Sequence, residues 1–75
     1  MKVEKLIKMA NQIAANLTYD DEQKAADAVC EHLRRSWAPD MRAQIIEYYA
    51  QGGAELDAVA KAAVAKLAEK ESQAA

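Results

Sequence analysis

Phenylalanine is absent from this 75-residue chain; proline, cysteine, histidine and tryptophan occur once each, and glycine only twice. Each scarcity excludes something. A single cysteine, Cys30, rules out an internal disulfide, and one Cys with one His, His32, cannot close a structural zinc site, which takes four ligands. No apolar run approaches the ~18–20 residues needed to span a bilayer. The lysines near the N-terminus precede no apolar signal core, so nothing supports secretion. Charge of one sign is lacking as well. Ten Lys and Arg against twelve Asp and Glu give a formal net charge of −2, with no general attraction to nucleic acid or an anionic membrane surface. The expectation is a soluble cytoplasmic protein that keeps Cys30 as a reduced thiol.

What is present is alanine. Apolar residues make up 52% of the chain, and Ala, the strongest helix former, supplies much of that. With so little Gly and Pro to interrupt it, the composition reads as all-α. The length allows one domain. A domain this short buries only about 60–65% of its unfolded-state surface, and its core supplies a few kcal/mol. Neither a disulfide nor a metal can add to that, so the chain is expected to gain stability from self-association or a partner protein.

Helical periodicity divides the chain into four segments. Val3, Leu6, Ile7, Ala10, Ile13, Ala14 and Leu17 recur at three- and four-residue spacing, with Lys5, Lys8 and Gln12 on the opposite face. "TYDDEQ" interrupts the pattern; Thr18 or Asp20 is the expected cap of a second helix, and Asp20, Asp21 and Glu22 suit its positive end. That helix places Ala26, Val29, Cys30, Leu33 and Trp37 on one stripe. "WAPD" ends it, because the residue before a proline is pushed out of helical geometry. Pro39 then opens a third helix, with Met41, Ile45, Tyr48 and Tyr49 inward and Gly52-Gly53 as a left-handed C-terminal cap. Asp57 caps a fourth, whose apolar face is Val59, Ala63, Val64 and Leu67, with Leu56 placed to staple its start. The expected architecture is a small bundle of four short helices joined by tight turns, one domain over 1–71 with a frayed tail at 72–75.

"HLRRSWAPDMR", residues 32 to 42, concentrates the unusual side chains. With Leu33 inward, Arg35 points almost directly away from the core and Arg34 sits on the flank. Exposed arginines are ordinarily solvated, yet Arg is enriched at protein interfaces because its planar fork binds carboxylates bidentately. His32 lies off the apolar stripe with no nucleophile or orienting carboxylate in register, which argues against acid–base catalysis. Cys30 reads as a small buried hydrophobe, and Trp37 as a plug closing the corner. Tyr48 and Tyr49 differ by ~100° around a helix, so one can reach a partner or groove. Two helices joined by a short turn invite comparison with helix-turn-helix DNA readers. The candidate recognition helix, however, carries one Arg balanced by Asp40 and Glu47, and lacks the basic footprint such helices need. No active site emerges. The residues describe an interaction module.

In three segments the chain resembles the delta subunit family of NAD-dependent formate dehydrogenases: "KMANQIAANL", "HLRRSWAPDMR" and "GGAELDAVAKAAV", in the family's order and spacing. It departs from the family's usual pattern at Asn16, Leu17, Ser36, Ala38 and Ala58. The resemblance implies a non-catalytic subunit of a cytoplasmic complex that oxidises formate to carbon dioxide. It implies no cofactor in this chain. The molybdenum or tungsten pterin, iron–sulfur clusters, FMN and NAD are expected on partner subunits. It also implies that Asn11, Gln12, His32, Arg34, Arg35 and Arg42 are candidate contacts to the catalytic subunits. Trp37, Pro39, Met41, Gly52 and Gly53 need no partner: a structural corner and its exit explain them. The rival reading is a self-associating helical regulator that works as a homodimer; on either reading Ala60, Ala63 and Val64 allow close helix packing.

Overall fold

The periodic segments become four helices in the computed structural model, which describes residues 2–17 and 20–73. They are α1 (Val3–Asn16), α2 (Glu22–Ser36), α3 (Pro39–Ala50) and α4 (Ala58–Gln73), with no strand among the described residues. The apolar stripes meet in one core. Leu6, Leu33, Ile45 and Leu67, one from each helix, are its largest fully buried side chains. Burying a side chain of that size contributes ~1.5–3 kcal/mol. Val3, Ile13, Met41, Tyr48, Tyr49 and Val59 pack half-buried around it.

The most extensive helix pairing is between α2 and α4. Asp27 bonds Lys66 and Glu31 bonds Lys70, so a step of four residues on one helix matches a step of four in the same direction on the other. The two helices therefore run parallel, and α3 returns between their ends. Ala60, Ala63 and Val64 face this interior and are fully buried. Small side chains let helix axes approach to the short end of the usual 8–10 Å range. The close-packing face expected on α4 is thus used inside the chain.

Several local expectations need correction. Asp21, not Asp20, caps α2: its Oδ1 accepts a 2.8 Å bond from the Gln23 backbone N–H. A cap serves the second or third residue of the helix, and α2 begins at Glu22. Thr18 lies outside the described residues. Helix α4 runs to Gln73. Glu71 is held by Arg42, which ties down the last turns. Leu56 is buried, but the residue that would complete its staple is Lys61, which is exposed. An apolar side chain gains nothing there, so Leu56 joins the common core.

The connection from α3 to α4, residues 51–57, is longer than a tight turn and has its own bonds. Gly53 N–H donates to Tyr48 O at 3.2 Å and Gly52 N–H to Tyr49 O at 3.0 Å. This paired closure of a helix end is the Schellman arrangement. It requires positive φ, which the glycines supply at 128° and 59°. A turn follows, with Leu56 N–H on Gly53 O at 3.1 Å.

Candidate functional site

The end of α2 and the start of α3 form the corner on which most candidate residues converge. Trp37 leaves the helix in extended conformation with its N–H still on Leu33 O at 3.0 Å. Its side chain is 5% exposed, so the indole closes the core at the corner. Ala38 supplies the first α3 acceptor, taking Arg42 N–H at 3.1 Å, and Pro39 occupies the first helical position, where a missing N–H costs nothing.

Arg42 turns inward, unlike the outward guanidinium expected of an interface residue. Its Nε donates to Glu71 Oε1 at 2.6 Å, and its Nη1 donates to the carbonyls of Trp37 at 2.7 Å and Arg34 at 3.3 Å. One fork thus satisfies carbonyls left orphaned at the C-terminus of α2 and joins α2, α3 and α4. Asn11 is also occupied internally. Its Nδ2 donates to Glu55 O at 2.9 Å and its Oδ1 accepts from Asp57 N–H at 2.8 Å. It clasps the 51–57 connection at the point where α4 begins. Tyr48 adds a third tie, its hydroxyl accepting from Glu55 N–H at 3.0 Å. A helix wheel misses all three roles because each partner lies in another segment.

The other candidates remain outside. Gln12, His32, Arg34 and Arg35 are exposed. Arg34 Nη1 meets Glu31 Oε1 at 3.2 Å, and the same oxygen accepts from Lys70 at 3.4 Å. Burial tends to raise the Glu31 pKa, but the Lys70 hydrogen bond and the Arg34 and Lys70 charges outweigh it and hold the carboxyl below its ordinary range. Solvent and salt screen exposed pairs of this kind, so they contribute little. Arg35 has no carboxylate within 4 Å among the described residues.

Two open depressions flank Arg35. One, of about 280 Å³, is lined by Glu31, Arg34, Arg35, Arg42 and Glu71. The other, of about 250 Å³, has Leu17 and Ala28 beside Glu31, His32, Arg35 and Ser36. Cys30 and His32 do not converge. Two residues along a helix are ~200° apart around its axis, and Cys30 is buried while His32 is exposed. Burial pushes the Cys30 thiol pKa up, away from the reactive thiolate. This donor pair does not fit a shared metal. Among the described residues no helix is long and apolar enough to cross a membrane.

The family model for the NADH-dependent formate dehydrogenase delta subunit, FdsD, matches residues 5–64. The chain belongs to that family. No curated protein and no solved structure matches it. The family span takes in α1 from its third residue, α2, α3, the Asn11 clasp and the smaller depression, and ends within α4. Glu71 and Lys70, which complete the corner, lie past its end. Neither stands out in the sequence, because both follow the last apolar residue of the α4 stripe, Leu67, in a polar stretch. The i,i+4 repeats Asp27/Glu31 and Lys66/Lys70 were the available signal for a parallel, charge-laced seam.

Proposed function

We propose that this chain is a non-catalytic accessory subunit of a cytoplasmic NADH-dependent formate dehydrogenase complex, supporting its assembly, maturation or stability through protein–protein contacts. Within the family match, one observation carries the reading. The "HLRRSWAPDMR" segment divides into an inward part that builds the corner and an outward part, His32, Arg34 and Arg35, that the fold of this chain does not use as core. An exposed arginine fork on a rigid helix end suits contact with a carboxylate on another subunit. On this reading the molybdenum or tungsten pterin, iron–sulfur clusters, FMN and NAD belong to the larger subunits, where formate is oxidised.

Co-purification tests it. A tagged full chain expressed in its native host is expected to recover the formate dehydrogenase catalytic subunits in fixed ratio. Recovery only from cells accumulating immature enzyme assigns it to assembly. Elution as a homodimer, with no other subunit, overturns the proposal in favour of the self-associating regulator.

A further inference from the structure

We infer that the exposed end of α2 is a seat for an acidic segment of a partner subunit, which places a carboxylate on Arg35 and a neighbouring apolar side chain over Leu17 and Ala28. The inference rests on the accessory-subunit reading and specifies how that contact is made.

Charge supplies the first reason. Around the larger depression, Arg34, Arg35, Arg42 and the adjoining Lys70 meet only Glu31 and Glu71. That is a local excess of two positive charges on a chain whose formal net charge is −2. Cations at a helix C-terminus ordinarily complement its dipole, and this accounts for some of the excess. Arg35 lies in that last turn too, but the dipole does not use up its N–H donors. Arg42 already donates to Arg34 O and Trp37 O, and Trp37 N–H to Leu33 O. Arg34 is engaged by Glu31. Among the described residues Arg35 is the one arginine whose guanidinium makes no ion pair, and a guanidinium left open can take a carboxylate bidentately.

Shape supplies the second. Arg35 is a ridge between two unlike hollows, one lined by charged side chains and the other offering half-buried Leu17 and Ala28. A segment that brings an acidic and an apolar side chain together fills both sides. Nucleic acid fits poorly. Glu31 and Glu71 interrupt the cationic hollow, whereas a phosphate backbone needs a continuous basic track.

The test compares tagged full chains in the native host: wild type, Arg35→Glu, Arg35→Gln, Ala28→Glu and Lys61→Glu. Arg35→Gln removes the charge without placing an acid at a helix C-terminus, so it reads out the contact even if Arg35→Glu fails to fold. Lys61 is exposed in the first turns of α4, at the far end of the parallel α2–α4 pair, and controls for net charge. Arg35→Gln and Ala28→Glu are expected to lower recovery of the catalytic subunits about tenfold, with Lys61→Glu at wild-type level and all helical melts retained. Rising salt should weaken the wild-type complex. Recovery of no complex by wild type overturns the accessory-subunit reading itself. Wild-type recovery with Arg35→Gln unaffected overturns this inference alone. So does equal loss in Lys61→Glu, or loss of the complex on nuclease treatment. Unchanged recovery with Ala28→Glu overturns the apolar half of the seat.

Discussion

Arg35 and Arg42 lie seven residues apart in one motif, and the structure puts them to opposite uses. Arg42 is drawn under the corner, its side chain 19% exposed, where it satisfies two carbonyls and one carboxylate. Arg35 lines the same depression as Arg42 but is exposed, with no intramolecular carboxylate within 4 Å among the described residues. Asn11 and Gln12 repeat the contrast on α1: the first clasps the start of α4, and the second is exposed. The functional group does not separate the members of either pair, two guanidinium groups in one and two carboxamides in the other. What separates them is whether a chain segment distant in sequence arrives within reach of the side chain.

Substitutions can break or sharpen that contrast, and the largest effect is expected at the corner itself. Trp37→Ala removes the side chain that closes the core, and such truncations cost about 3–5 kcal/mol. That is comparable to all the stability a core of this size supplies, so the cooperative thermal transition followed by circular dichroism should be lost. Arg42→Ala leaves the Trp37 and Arg34 carbonyls and Glu71 without their donor, at about 1–3 kcal/mol. The denaturant midpoint should fall accordingly. Arg42→Lys should recover only part of it, since an ammonium cannot span the same three acceptors.

Asn11→Ala should cost about 1 kcal/mol through the lost clasp, while Gln12→Ala stays within about 0.5 kcal/mol. Equal values at the two positions would show that the clasp contributes nothing. A smaller effect comes from Glu31. Its carboxyl pKa is held below the ordinary value by Lys70 and Arg34 despite opposing burial. A carboxylate with a lowered folded-state pKa contributes stability above its unfolded pKa, about 4.3, and loses it as pH falls through the folded value. Wild type minus Glu31→Gln should therefore show a stability difference at neutral pH that shrinks through and below pH ~4. Smallest of all, Arg35→Gln should change stability by no more than about 0.5 kcal/mol. A larger loss would mean that Arg35 holds the fold together.

Much of the helical layout was legible in sequence because it depends on local physics. Pro39 can open a helix and not continue one, Gly52 and Gly53 can take positive φ, and the stripes through Leu6, Leu33, Ile45 and Leu67 repeat at helical spacing. The cap of α2 is Asp21 rather than Asp20 because a run of acidic residues offers several capping oxygens and only backbone geometry selects among them; the alternative, Thr18, lies outside the described residues. The candidate site was legible only in outline. The motif singled out the right region, but the wheel treated Asn11, Arg42 and Arg35 alike as outward polar residues.

The sequence by itself determined four helices, their breaks and the side chains each turns inward, since propensity, capping and periodicity act within a few residues. The tertiary structure decided that α2 and α4 run parallel, that the Ala60–Val64 face is spent internally, and that Glu71 captures Arg42 while Arg35 stays open. Those outcomes depend on hydrogen bonds and packing between residues tens of positions apart, and no local pattern specifies which distant partner will be within 3 Å.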